Sequence, residues 1–503
     1  MSNGMLPSYV SMAQPNPASN RAPWYKNTAP TYAGIFLWFV FWSQVPSGGT
    51  GIPGGVLSQG LGVAFVGLII ACLLCHFLFY LVPGLLGMKT GLPLYVVGTS
   101  TYGVQGGFLM PGFLMGVLQF GWLGVNGYFA SLALAPLFGG GAAAAKIIAV
   151  VWAAVAAFVG LKGIQYVAKV ATFLPLIPLI ILLIMLGKTI GGIGDFDPEK
   201  LVAAGQVTSA STTAGLSTFG VIALCITCVV GFFATAGAAG VDFGLNNKDA
   251  KDVQMGGLFG VALAPFVAGG AALLIAAGAF GSSGEYGLNT ALPGFMGGVM
   301  GSEGAGKTMA LLLAVAAFPP ACFSSFIAAN SFKTTLPKVN PFISVGIGTA
   351  VSIFLAVTGL AGRAADVFSV IGASFGPICG AMMVDYLLAG QKWPGPRAGW
   401  NLAGWISWAV GFVVGMAPLV GLANIPAAPL MAFIVGAVLY FILAKLGLES
   451  RVLEMPSEAP EKGAEPDTGK AAPAPAPAVA SAEEAKEAAG ETEQQGEDEA
   501  KKE

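Results

Sequence analysis

From about Tyr32 to Leu446 the chain alternates long apolar runs with short polar breaks. Each run is about 20 residues, the length a helix needs to cross a hydrocarbon core of roughly 30 Å. The runs lie near 32–52, 59–86, 107–135, 145–161, 168–187, 218–240, 256–280, 308–330, 341–361, 365–389, 399–421 and 425–446. A segment in hydrocarbon must satisfy its own backbone polar groups, so each run is read as a helix. The pattern predicts an all-α polytopic membrane protein with twelve transmembrane helices.

Two runs are interrupted in a telling way. Span 1 contains Ser43-Gln44-Val45-Pro46-Ser47-Gly48-Gly49-Thr50-Gly51. Pro and paired Gly in mid-membrane free backbone amides and carbonyls, which must then line a cavity or bind something. Span 6 contains the weaker interruption Gly231-Phe232-Phe233-Ala234-Thr235-Ala236-Gly237. Spans 1 and 6 occupy matching places in two five-span halves, the arrangement that marks a midplane binding site in secondary transporters. Close helix packing through small residues is the competing reading of both glycine-rich stretches.

Composition narrows the class. Only 10% of the 503 residues are charged, against about 25% in a soluble domain, and the mean hydropathy is +0.76. There is no basic field for nucleic acid. With one His and no clustered acids, neither a nucleophile–base pair nor a metal centre is apparent, so an enzyme and a resident cofactor are not expected. The six cysteines all lie in apolar stretches and read as small core residues, CxxC spacings at Cys72/Cys75 and Cys225/Cys228 included. Residues 1–31 form a polar N-terminal segment, and span 1 is expected to act as its own insertion signal. Residues 455–503 are rich in Ala, Glu, Pro and Lys and read as a disordered tail. Lys and Arg concentrate in alternate breaks, from Arg21, Lys26 and Lys89 to Lys392 and Arg397. By the positive-inside rule this places both termini in the cytoplasm, with the inner membrane and its lipid as the expected setting.

Several side chains are candidates for a site. Gln119, Trp122 and Asn126 share one face of span 3. A flat indole flanked by amides suits a planar ring with polar edges, and equally suits an interfacial Trp with amides joining helices. Phe232 and Phe233 offer a second aromatic surface or ordinary packing. Span 8 carries Pro319-Pro320, then Ser324 and Ser325, whose hydroxyls suit a cation or carbonyls freed by the prolines. The double Pro is expected to distort that helix. His76, the one histidine, is a functional candidate by virtue of its depth, although span 2 is not interrupted. Asp242, Asp366 and Asp385 read as helix-end charges meeting water.

Longer strings point to a family. Lys89-Thr90-Gly91-Leu92, Tyr102-Gly103-Val104 and Gln119-Phe120-Gly121-Trp122-Leu123-Gly124 resemble bacterial cytosine permease. So do Val229 to Gly237 with Asp242-Phe243, and Ser374-Phe375-Gly376-Pro377 leading to Val384-Asp385-Tyr386-Leu387. Ala328-Ala329-Asn330-Ser331-Phe332-Lys333 to Pro337-Lys338-Val339 is similar to fungal purine–cytosine permeases. Together these resemble the nucleobase:cation symporter 1 family, over roughly Trp24 to Leu446.

The resemblance implies the leucine-transporter fold within residues 32–446. Two inverted five-helix repeats, about 32–187 and 218–389, would be followed by two extra helices at about 399–446. It implies cation-coupled uptake of a nucleobase or related heterocycle. Trp122 would then stack on the ring and Asn126 bond its edge. Phe233 takes the place of the second stacking aromatic, with the backbone of Gly231 and Phe232 and the Gln44 side chain nearby. A hydroxyl-based cation site would draw on Ser43, Ser324 and Ser325. The chain departs from the family in span 8, where Ala317, Phe318 and Ala321 stand in place of ring-reading Asn residues. That departure, with Pro319 and Pro320 near the place of the family's paired hydroxyls, favours a less polar ring and a proton over sodium. A channel or transporter-like sensor on the same fold is the alternative, although no filter motif or ring of charges is present in the sequence.

Overall fold

A computed structural model describes residues 6–36, 51–163, 166–167, 173–209, 212–284 and 293–455. The interruption of span 1, with Ser43 and Gln44, and the tail beyond Met455 lie outside the described residues.

The described residues form helices throughout. We label them α1 (Thr28–Phe36), α2 (Gly60–Thr90), α3 (Phe108–Phe138), α4 (Ala142–Lys162), α5 (Leu176–Asp195), α6 (Thr218–Ala238) and α7 (Ala250–Ser283). The series continues with α8 (Glu303–Thr335), α9 (Pro341–Val357), α10 (Ala364–Leu388), α11 (Leu402–Met416) and α12 (Ala428–Lys445). Among the described residues, nine of these are long and apolar enough to cross a membrane, and α9 and α11 are shorter apolar helices.

Local chemistry sets many of the ends. Ser217 and Ser302 accept hydrogen bonds from the Gly220 and Ala305 amides at the starts of α6 and α8. Asn340 does the same for α9, ahead of Pro341. These caps satisfy amides that have no partner within the helix. Gly91 closes α2 in the left-handed conformation, which a residue without a Cβ adopts cheaply.

One expectation fails. The stretch Gly231–Gly237 is not a break: α6 runs unbroken from Thr218 to Ala238 and yields only at Ala239, before a short helix at Gly240–Gly244. Pro319 and Pro320 do not end or split α8, which is continuous over 33 residues. Each Pro leaves a carbonyl four residues earlier without its helical donor, but adjacent helices hold the backbone in place.

The helices pack as two groups. Helices α3, α4, α8 and α9 contact one another, and α2, α6, α10, α11 and α12 form a second group, with α7 against α2 and α5. Contact between α6 and the pair α3/α8 is sparse, so the groups meet along a seam. Helix α10 is central, 72% of its most apolar window being enclosed, whereas α4 at 22% presents Val151, Val155 and Phe158 outward. An outward apolar face is what lipid requires. All six thiols are buried and unpaired.

The polar ends of the helices are fastened by side chains far apart in sequence. Residues before α1 lie across the loops after α2 and α6. Asn16 donates to the Leu245 carbonyl and to Asn246 Oδ1, and Arg21 donates to the Met88 carbonyl at 3.0 Å. At the end of α10, Asp385 is 2% exposed and not in water. It accepts from Arg397 Nη1 at 2.7 Å, Ser100 Oγ at 2.7 Å and Thr101 Oγ1 at 3.1 Å. Arg397 also donates to Glu449, which Tyr440 approaches as well. The sequence reading of Asp385 as a solvated helix-end charge is therefore corrected. A buried charge persists only when paired and hydrogen-bonded, and here the loops beyond α2 and α10 supply both.

Candidate functional site

Among the described residues, three aromatic rings meet at the seam between the helix groups. Trp122 on α3 lies edge-on to Phe232 on α6, with centroids 4.8 Å apart and planes at 85°. Phe368 on α10 lies 5.5 Å from each of them. Trp122 and Phe232 are half-buried, and Phe368 is buried. Such edge-to-face contacts are favourable and break at modest cost, about 0.5–1.5 kcal/mol each. An aromatic or heteroaromatic ring can therefore replace one of them.

The helix phase separates the two phenylalanines. Phe232 turns towards Trp122, while Phe233 points to the opposite side. Phe233 is fully buried, 5.7 Å from the Tyr32 ring, in the apolar core shared by α1, α2 and α6. The place beside Trp122 expected for Phe233 is thus taken by Phe232. Phe368 was not among the sequence candidates. It follows Asp366 in an apolar helix start, and nothing in that string distinguishes it from a packing residue.

Asn126 is turned to its own helix group. Its Nδ2 donates to the Ala317 carbonyl of α8 at 3.0 Å, and its Oδ1 accepts from Trp152 Nε1 of α4 at 2.9 Å. The amide thus joins three helices, next to the Val315 and Ala316 carbonyls that the prolines leave unsatisfied. The sequence left ring contact and helix joining open for Asn126, and the geometry supplies the second. Gln119 is buried, and its Nε2 has only the Met115 sulfur at 3.8 Å. It retains polar capacity one turn from Trp122.

Gly231 sits at the α6–α10 seam. A Cβ there would lie 2.5 Å from the Phe368 carbonyl oxygen, and Gly372, one turn further along α10, also packs on Gly231. The glycine lets the α6 backbone touch α10, which holds Phe232 and Phe368 in register. Ser325 is buried against Gly160 of α4, and its hydroxyl has no hydrogen-bond partner. Ser324 is 9% exposed. Among the described residues no group of three or more His, Cys, Asp or Glu side chains converges as metal ligands.

One ionisable group near the polar end of α6 is perturbed. Asp242 is half-buried beyond that helix. Burial pushes its carboxyl up to about 6, against the opposing effect of the Leu94 amide, which donates to it at 2.9 Å.

Comparison with known proteins identifies the fold. No family model matches the chain, and no curated protein does. Among solved structures, the inward-facing conformation of Mhp1 matches with a TM-score of 0.60 at 17% identity, covering 86% of this chain and 95% of that one. Mhp1, a nucleobase-cation-symport-1 family transporter, in a closed conformation with bromovinylhydantoin bound, matches with a TM-score of 0.56 at 16% identity. It covers 86% of this chain and 97% of the other. At such identities the likeness establishes the fold alone, a fold that these membrane transporters share.

Proposed function

We propose that the chain is a secondary active transporter that takes up a nucleobase or related heterocycle with a coupled cation, by alternating access across the inner membrane. The observation that carries this reading is the ring cluster of Trp122, Phe232 and Phe368 at the seam between two helix groups. Rocking of one group against the other would open and close such a seam, and the rings on both sides make the gap a stacking site. Likeness to a transporter whose closed conformation holds a hydantoin supports a flat heterocycle as cargo.

The site takes Trp122 and Phe232 as stacking faces and Gln119 as the nearest free amide. Gly231 sets the approach of α6, Asn126 holds α3 to α8 and α4, and Phe233 supports α6 from behind. Gln44 and Ser43 of span 1 complete the site in this reading. With few ring-edge partners on α8, the pocket favours a less polar ring than cytosine, because a site without matching hydrogen bonds cannot reward them.

Twelve spans arise when the first, of which α1 is the beginning, joins the eleven described helices. The two inverted five-helix repeats would be α1–α5 and α6–α10, with α11 and α12 outside them and both termini cytoplasmic. The coupling ion in this reading is the proton. Ser325 packs against α4, which leaves Ser324 as the remaining hydroxyl of the expected pair for a sodium site.

Uptake of labelled cytosine, adenine, hypoxanthine, uracil and allantoin into proteoliposomes, under a proton or a sodium gradient imposed separately, tests the proposal. Saturable accumulation of one of them under the proton gradient is expected. Flux that neither saturates nor shows competition would favour a channel.

A further inference from the structure

Helix α2 carries a π-helical turn at Cys75–Tyr80 and α7 carries another at Leu258–Leu263, and the two turns pack on each other. Such turns place an extra residue in the helix and recur at functional sites. The first turn presents His76, the one histidine of the chain. His76 is 4% exposed and its Nδ1 is buried without a hydrogen-bond partner. Gly257, just before the second turn, faces it: a Cβ there would lie 2.5 Å from His76 Nδ1 and 2.4 Å from Tyr80 Cε1. The glycine lets the α7 backbone come close to the imidazole and the Tyr80 ring.

Two more orphaned polar atoms belong to the same region. The Tyr80 hydroxyl lies beside Thr28 but completes no hydrogen bond of good geometry. Thr28 has given its single hydroxyl proton to Asn247 Oδ1 at 3.0 Å, and Asn247 Nδ2 has no acceptor. Thr28 in turn packs on Gly256, next to Gly257. Buried orphans of this kind cost about 1–3 kcal/mol each and are rare. Three of them along one seam between α1, α2, α7 and the loop after α6 point to hydration, since a buried water needs two to four polar partners. Asn246, beside Asn247, meets Asn16 of the N-terminal segment, so this seam ends at the polar face.

Among the described residues, the groups around His76 carry no fixed charge. From α2 come Tyr80 and the adjacent Cys75, Tyr32 of α1 packs on Tyr80, and Cys379 of α10 lies beside Tyr32. The π turn of α7 offers no titratable group. The neighbouring carboxylates are engaged elsewhere, Asp252 with the Trp24 amide and Asp242 with that of Leu94.

We propose that His76 takes up the coupled proton, and that Tyr80, Thr28 and Asn247 line the hydrated path by which it reaches the cytoplasm. This rests on the proton-coupled reading above. In the step, an O–H bond of a hydronium ion breaks and an N–H bond forms on the imidazole. The reverse exchange returns the proton to water on the cytoplasmic side, with no change in oxidation state. Tyr32 links this region to the ring site: it packs on both Tyr80 and Phe233 and donates to the Ala236 carbonyl of α6 at 2.8 Å.

A single histidine makes the test free of assignment. The protein, purified through a tag without histidine, is labelled with ¹⁵N-histidine, and its imidazole is titrated by NMR over roughly pH 5–8, the range in which histidines change charge. The titration is run with and without cytosine, adenine, hypoxanthine, uracil and allantoin. The expected result is an imidazole that protonates in this range and changes protonation state when the transported compound is added. An imidazole that stays neutral throughout, or is indifferent to every compound, overturns the proposal. In parallel, His76→Gln protein of unchanged thermal stability should lose accumulation driven by a proton gradient, and retained accumulation overturns the proposal too. Sodium-driven uptake with an unmoved imidazole would defeat the role of His76 and leave the transporter reading standing. Absence of any uptake by the unmodified protein would defeat the transporter reading itself.

Discussion

Trp122 and Phe232 meet edge-to-face across the seam between two helix groups, with ring centroids 4.8 Å apart. Their neighbour in sequence, Phe233, is buried on the far side of α6 against Tyr32. Two adjacent phenylalanines should therefore fail in different ways. Phe232→Ala removes a stacking face, worth about 1–3 kcal/mol where aromatic side chains hold bases, or roughly five- to 150-fold in affinity. It also removes two edge-to-face contacts of about 0.5–1.5 kcal/mol each, so thermal stability should fall by less than in the core variant. Phe233→Ala opens a core cavity, at about 3–5 kcal/mol, and should lower the unfolding temperature. Binding and thermal-shift measurements on both variants separate the effects. Equal losses of stability would contradict the assignment.

The Asp385–Arg397 pair should behave as a unit. Removing one partner of a buried, hydrogen-bonded pair strands the other and costs about 3–5 kcal/mol. Asp385→Asn and Arg397→Gln should each lower thermal stability in detergent. The double variant should lose much less than the sum, since the one charge it leaves without its partner, Glu449, is partly exposed. Additive losses would mean that the two side chains act independently.

Asp242 gives stability a pH dependence of known sign. Its carboxyl is raised from the usual 3.8 to about 6 in the folded protein, so the native state holds the proton more tightly than the unfolded state. Its contribution favours the fold at low pH, declines as pH rises from about 4, and is lost once pH passes about 6. Asp242→Asn keeps an oxygen for the Leu94 amide and removes the titration. Compared at about pH 4 and about pH 7, the unfolding temperature of the variant should gain relative to the unmodified protein at the higher pH. An identical difference at both pH values would contradict this.

Gly231→Ala would set a methyl 2.5 Å from the Phe368 carbonyl oxygen. Overpacking of this kind costs about 1–3 kcal/mol and pushes α6 from α10. Lower stability and weaker substrate binding should appear together, because Phe232 and Phe368 face one another across that contact. Full binding in a destabilised variant would show that the seam does not set the site.

Hydropathy alone located most of the helices to within a few residues. Chain length in hydrocarbon and the need to close every backbone hydrogen bond leave little choice. Span 5 was the exception, expected at 168–187 and found at Leu176–Asp195. Which residues meet was much less legible. Trp122 stood out as a flat face on span 3, but the choice of Phe232 over Phe233 depends on the rotation of α6, which periodicity in an all-apolar helix does not record. Asn126 offered the same amide for a ring or for another helix, and only the positions of Trp152 and Ala317 decide between them. Asp385 looked like a solvated end charge because its partners Ser100, Thr101 and Arg397 come from separate loops. The Gly231–Gly237 stretch suggested a broken helix, since isolated propensity takes no account of the neighbours packed against it.

The most direct test of the transporter reading is gradient-driven uptake of the five labelled heterocycles by proteoliposomes, with the unmodified protein and Trp122→Ala side by side. Saturable uptake by the unmodified protein, and its loss in a variant that inserts and melts normally, is the expected result. Normal uptake by Trp122→Ala would contradict the ring site, and with it the account of how this chain holds its cargo.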